Sequence, residues 1–360
     1  MSTDPRLLAI YCAQDYEQQA AQRLGPEVMA YIAGGSDQDR ALERNRQALE
    51  SFVTVPRLMT DLTNGSIALQ MLGVQWSAPI ALAPVAYQSL VHPGGETETA
   101  KAARAMDTPM VLSSLSTRTL EDVACEAGDP RWFQVYLQPR WRDTLDLVHR
   151  AHAAGYSAIV LTLDAAVQMP SRRALAAGFV MPSGCRAVNL ERYEPYTNTS
   201  TPFFQSAQQA RLTVSQLHDL INASPLPLLV KGVLHPDDAL EVRAAGVAGV
   251  VVSNHGGRAA DLAPASAWAL PKVRTAVGPD YPVLFDSGIR SGADVFAALA
   301  MGADAVLVGR LQLYALAVAG ALGVGHMIKL LREELQACML VCGCATLADV
   351  RAAGVSARVA

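Results

Sequence analysis

One run of this chain combines residue types suited to chemistry at close spacing: Ser253-Asn254-His255-Gly256-Gly257-Arg258. An imidazole titrates near neutrality and can take a proton. Two glycines after it let a ligand approach the backbone, and an arginine three residues on offers a planar fork of donors to a carboxylate. His255 and Arg258 therefore read as a base beside an anion clamp. The other six histidines, His92, His149, His152, His218, His235 and His326, lie in helical or loop contexts and read as surface residues. Lys231 is a second outlier: of 29 lysines and arginines only four are lysines (Lys101, Lys231, Lys272, Lys329), and Lys231 closes an apolar run. Two further runs, Asp286-Ser287-Gly288-Ile289-Arg290 and Gly309-Arg310, pair backbone-exposing glycines with an arginine each, as a phosphate site would.

The elements that must position these groups follow from periodicity. From residue 79 on, short β-branched or aliphatic runs alternate with Ala/Glu/Arg-rich helical stretches. There are eight such runs: Pro79 to Pro84, Pro109 to Ser113, Trp132 to Tyr136, Ala158 to Asp164, Pro227 to Lys231, Gly249 to Asn254, Pro282 to Asp286 and Ala305 to Gly309. Several follow a helix ending in Ala-Gly or Met-Gly (Ala154-Gly155, Ala245-Gly246, Met301-Gly302), where glycine can take the left-handed cap conformation. Eight βα units predict an α/β protein with a closed (β/α)₈ TIM barrel, and no Gly-x-Gly-x-x-Gly follows a run to suggest a dinucleotide site. The C-terminal strand ends then form one rim. Ser113, Gln134, Tyr136, Thr162, Asp164, Lys231, Ser253, His255, Asp286, Gly309 and Arg310 converge there, with the loops after strands seven and eight at the usual phosphate position.

The chain reads as one domain over 1–360. Residues 1–78 form helices and a short β-prone stretch that cover the N-terminal mouth or reach over the site, and residues 79–360 form the barrel. Residues 169–212, after the fourth run, carry Pro170, Pro182, Pro195 and Pro202 with little periodicity and read as a lid, with disorder an alternative for its centre.

A net charge of −4 and a pI near 6.0, without a long basic stretch, argue against a nucleic-acid partner. The most apolar stretch, Leu313 to Leu322, is short for a membrane span, and Met1 to Pro5 opens no secretory signal, so a soluble cytoplasmic protein without a membrane partner is expected. Six cysteines in a chain of 360 residues read as reduced thiols. Cys342-Gly343-Cys344 fits a buried pair near a helix end better than a metal site, and no metal is expected.

Together, Val230-Lys231-Gly232-Val233, Ser253 to Arg258, Asp286 to Arg290, Phe133-Gln134-Val135-Tyr136, and Ala83-Pro84-Val85-Ala86-Tyr87-Gln88 with His92-Pro93-Gly94-Gly95-Glu96 resemble the FMN-dependent 2-hydroxy acid oxidases and dehydrogenases. That group includes glycolate, lactate and mandelate or 4-hydroxymandelate oxidising enzymes. The resemblance runs from Tyr31-Ile32-Ala33-Gly34-Gly35 to Gly343-Cys344. It implies an FMN enzyme that oxidises a small L-2-hydroxy acid to the 2-keto acid, with O2 or another electron acceptor, and a homotetramer. His255 would take a proton from the substrate, by a carbanion or a hydride route, and Asp164 would orient it. Arg258 and Tyr31 would hold the carboxylate and Tyr136 the hydroxyl. Lys231 would face the N1/O2 edge of the flavin. Ala83, Pro84, Val85 and Ala86 would pass near N5, with Ser113, Gln134, Thr162 and Ser253 on the ring or ribityl chain. Asp286, Ser287, Gly288, Arg290, Gly309 and Arg310 would bind ribityl and phosphate.

The chain departs from that pattern in places. The family usually has Asp-x-Pro-x-x-Gly-x-Arg after strand four; here Asp164 leads through Met169-Pro170-Ser171 to Arg172-Arg173, which leaves Arg173 or Arg172 as candidates for a second substrate arginine. Ser287 replaces a frequent glycine, Leu311 a frequent proline, and Ala259-Ala260 precede Asp261 where Gln-Leu is common. Leu115 stands where glycolate oxidases often have tryptophan, and Tyr87 where many relatives have methionine, so an aryl or branched 2-hydroxy acid is expected. An FMN barrel isomerase, a dehydrogenase with another acceptor, and a flavin-binding homologue without activity are the competing expectations.

Overall fold

The computed structural model describes residues 4–165, 169–194 and 211–357. Eight parallel strands close into a barrel: Ile80–Leu82, Met110–Ser113, Arg131–Val135, Ala158–Thr162, Leu228–Val233, Gly249–Val252, Val283–Asp286 and Ala305–Val308, the eighth pairing back onto the first. Each of the eight expected runs supplies one strand. Nearly every residue in these strands is buried, as a sheet covered on both faces requires, which is why the runs are continuously aliphatic rather than alternating. The turns into strands four, six and eight pass through Gly155, Gly246 and Gly302 at φ of 80°, 93° and 108°, a region open to glycine.

Two apolar layers hold the barrel. Outside, Ile80, Leu82, Leu112, Phe133, Ile159 and Phe285 pack against the helices. Inside, Ala81, Val111, Trp132, Val160, Leu229, Val251, Leu284 and Leu307 fill the bore, joined by Met71 and Trp76. The last two come from an antiparallel hairpin, Leu69–Met71 with Val74–Trp76. Its Trp76 ring meets Trp132 at a centroid distance of 5.2 Å and stops the N-terminal mouth. The helices that precede it travel the other way. Tyr31 and Ile32 of Pro26–Ala33 reach the opposite rim, and Arg40–Glu50 packs on the turn after strand six.

After strand eight the chain forms a 33-residue helical stretch, Arg310–Cys342, broken where Gly320 takes φ 59°. It contains an 18-residue window apolar and long enough to cross a membrane, against the expectation of only a short apolar stretch, yet 78% of that window is buried within the protein. Packing against helices Glu96–Ala105 and Gly292–Ala300 accounts for its composition. All six cysteines are free thiols, and Cys342 and Cys344 are buried. The segment after strand four begins with a short helix, Arg172–Ala176, while the expected centre of the lid, 195–210, lies outside the described residues.

Trp76→Ala removes the largest fully buried side chain and should cost about 3–5 kcal/mol. Chemical denaturation should show that loss, with no change in the residues lining the opposite rim.

Candidate active site

The fifth strand sets the geometry. Between Lys231 and Val233 its register shifts by a bulge, and Gly232 occupies the bend at φ 104°. A side chain there would lie 2.5 Å from Cβ of Asp164, so glycine makes room for a carboxylate pressed against the strand. The bulge re-aims Lys231 inward. Its ammonium, buried, lies 3.1 Å from Asp286 Oδ2 and donates to Ser253 Oγ at 2.9 Å. Burial opposes the charge on Lys231, but Asp286 and Asp164 outweigh it and raise its pKa, so the lysine stays cationic.

Asp164 stands behind His255. Its Oδ1 lies 2.8 Å from His255 Nδ1, and its Oδ2 is buried with no hydrogen-bond partner. Burial would raise this carboxyl, yet the charges of His255 and Lys231 and the hydrogen bond from the imidazole hold it below the usual carboxylate range. An ionised carboxylate only accepts, so in the neutral imidazole Nδ1 carries the proton and Nε2 is the basic nitrogen. Nε2 faces Tyr136 Oη at 3.4 Å. Burial first, then the Asp164 charge, drives the Tyr136 phenol well above its ordinary pKa, so it remains a donor.

The turn carrying His255 is locked from outside. His255, Gly256 and Gly257 all have left-handed φ, and a side chain at Gly257 would meet the Leu42 backbone nitrogen at 2.5 Å. Helix Arg40–Glu50 packs there and exchanges paired amide bonds between Asn45 and Asn254, at 2.8 and 2.9 Å. Arg258 Nη1 donates to the carbonyls of Tyr31 and Gly34, and its guanidinium lies 4.9 Å over the Tyr31 ring. Tyr31 is in turn stacked on Phe179 at 4.3 Å, so the described start of the segment after strand four reaches the site.

These groups border a cavity of about 270 Å³ at the C-terminal strand ends. Most of the residues marked in the sequence line it, from Ala83 to Ala86 through Ser113, Leu115, Thr162 and Lys231 to the loops carrying Arg290 and Arg310. Gln134, Asp164 and Ser253 are not on the cavity wall; Gln134 and Ser253 are buried, and Asp164 reaches the site through His255. Arg173 is not brought there: its guanidinium lies 2.6 Å from Asp39, and Arg172 pairs with Asp37. The physical reason is a zipper between two loops, in which the Asp37 amide bonds Pro170 and the Arg172 amide bonds Asp37.

A cofactor with polar ring edges and a phosphate fits the remaining groups. Gln134 Nε2 and Thr162 Oγ1 are buried without partners, and such groups cost free energy unless a ligand satisfies them. Arg310 donates to Ile32, Gly256 and Gly34 carbonyls, leaving two of its five N–H groups. Burial and the nearby charge of Arg258 pull its pKa down to about 9, with Arg290 contributing, the signature of a cation cluster that an anion would stabilise. Arg290 is held by Glu17 at 3.2 Å, which also accepts from Tyr314.

Reasoning from sequence missed Asn45, Glu17 and the role of Gly232. Asn45 left a trace: in helix Arg40–Glu50 it shares the buried face with Ala41, Ala48 and Leu49, a polar residue in an apolar phase. Glu17 left none, since its partners are 273 and 297 residues away.

Comparison with known proteins agrees with this geometry. A family model described as FMN-dependent dehydrogenase matches residues 20–357. An L-lactate oxidase from Alicycliphilus denitrificans is 52% identical over 95% of each chain. A 4-hydroxymandelate oxidase from Amycolatopsis orientalis is 38% identical over 94% of this chain and 96% of the relative. A solved mandelate oxidase with (S)-4-hydroxymandelic acid superposes with a TM-score of 0.89 at 36% identity, covering 97% of this chain and 99% of that one.

Asp164→Asn should lower turnover on the order of 100-fold or more, because the amide cannot hold the same tautomer or stabilise the imidazolium. The carboxyl pKa is depressed on folding, so its contribution to stability is complete above the unfolded value near 4 and is lost as pH falls through the folded one. Denaturation at a series of pH values should show the wild-type advantage over D164N at pH 5–7 and its disappearance below the carboxylate range.

Proposed function

This chain belongs to the family of FMN-dependent dehydrogenases, and from that premise we propose that it oxidises an L-2-hydroxy acid to the 2-keto acid, with O2 as acceptor and H2O2 as product. The observation that carries the reading is the His255 imidazole, backed by Asp164 on Nδ1 and open at Nε2 beside Tyr136, in a cavity wall shared with Arg258.

FMN, when bound, supplies the two-electron acceptor. Lys231 would hold its N1/O2 edge, Gln134 and Thr162 its remaining polar edge, and the loops with Arg290 and Arg310 its phosphate. The chain's own residues do the rest. Arg258 pairs the substrate carboxylate and fixes its orientation. Tyr136, kept protonated, donates a hydrogen bond to the substrate oxygen. His255 Nε2 takes the proton, and Asp164 stabilises the imidazolium that results.

For the substrate we favour L-lactate or a short aliphatic homologue, supported by the lactate oxidase at 52% identity. A second reading, an aryl acid such as (S)-mandelate, is supported by Leu115 on the cavity wall and by the similarity to mandelate oxidase. We also propose a cytoplasmic homotetramer without a membrane partner. Six free thiols suit a reducing compartment, and exposed Leu58, Met59, Leu340 and Val341 flank the contact of Arg57 with Cys342 and offer apolar surface for assembly.

Anaerobic addition of L-lactate to the purified yellow protein should bleach the flavin band, D-lactate should not, and air should restore the colour with one H2O2 per turnover. Bleaching only by (S)-mandelate would select the aryl reading. No bleaching by any 2-hydroxy acid would overturn the function.

A further inference from the structure

Beneath the cavity, four hydrogen bonds and one ion pair close into a ring. Lys231 Nζ donates to Ser253 Oγ at 2.9 Å, and the same oxygen accepts the His255 amide at 3.0 Å. The next amide, Gly256 N–H, donates to Ser287 Oγ at 2.9 Å. Ser287 Oγ–H donates to Asp286 Oδ1 at 2.7 Å, and Asp286 Oδ2 returns to Lys231 at 3.1 Å. Lys231, Ser253, Asp286 and Ser287 are all buried.

Ser287 is the informative member. Its φ is 88°, a conformation glycine adopts freely and a side chain adopts only under strain. A glycine there would remove the strain and lose only the hydroxyl, so the hydroxyl must return something. What it touches is an amide of the left-handed turn that aims His255, and the carboxylate that holds Lys231.

We propose that Ser287 and Ser253 are positioning residues. Their hydroxyls carry two consecutive amides of the His255 turn on the Lys231–Asp286 ion pair, so that the base and the buried ammonium keep one mutual arrangement. The inference rests on the reading of His255 as the base. The imidazole is gripped by Asp164 at Nδ1, and Asn45 and Asn254 fix the outer side of the turn, which leaves the His255 and Gly256 amides on its inner side to be held. The two hydroxyls hold those two amides, and a small misplacement of a base is enough to slow proton transfer without weakening carboxylate binding by Arg258.

The test compares the FMN-loaded wild type with Ser287→Gly and Ser287→Ala. In the glycine variant, melting should occur at or above the wild-type temperature, while amide hydrogen exchange in 253–258 should quicken about fivefold for the lost bond. Its kcat should fall between about three- and tenfold with KM within about twofold, the split expected when orientation and not binding is lost. Wild-type exchange and wild-type kcat in Ser287→Gly would overturn the proposal. Should Ser287→Ala melt lower through its retained strain, the glycine variant decides. If wild type oxidised no 2-hydroxy acid, the proposed function would fail, and the exchange rate alone would then uphold or overturn the clamp.

Discussion

A carboxylate buried against a strand, with one oxygen on an imidazole and the other without a partner, is the constraint around which this site is built. Burying a charge is unfavourable unless opposite charges answer it. Asp164 is answered by the Lys231 ammonium and by the Nδ1–H that His255 donates. Each answer imposes a further demand. Lys231 must point into the barrel, which the bulge achieves; the strand must let Asp164 approach, which Gly232 permits; and His255 must present Nδ1, which lies 2.8 Å from the carboxylate. The reactive nitrogen is thus left open by the requirements of the carboxylate behind it.

The barrel separates stability from chemistry. Its N-terminal mouth is filled by the Trp76–Trp132 contact, which has no polar task. The C-terminal rim carries buried cations, and there Gln134 Nε2, Thr162 Oγ1 and Asp164 Oδ2 stand without partners beside a cavity. Helices from the first fifty residues close that rim by packing on the His255 turn and on Arg258, so groups distant in sequence fix one another.

Much of this was legible in the chain. Strands buried on both faces are read from continuous aliphatic runs, and polar residues ending those runs must share a rim once the barrel closes, which is how His255, Lys231 and Asp286 could be grouped from spacing alone. What escaped depends on contacts without local pattern. Arg173 looked suited to a substrate carboxylate because only its type and order were visible; its partner Asp39 lies on a loop whose approach no periodicity encodes. Glu17 belongs to the same class. Ser287 was visible as a departure from glycine, but its bonds to both Asp286 and Gly256 exist only in the folded turn.

The central claim is that His255 Nε2 is the base, and it is tested most directly by the rate of flavin reduction on rapid anaerobic mixing with saturating substrate. A His255→Asn holoenzyme that retains FMN should reduce its flavin roughly a thousandfold more slowly than wild type, within the range a positioned general base contributes. Reduction at the native rate would contradict the account.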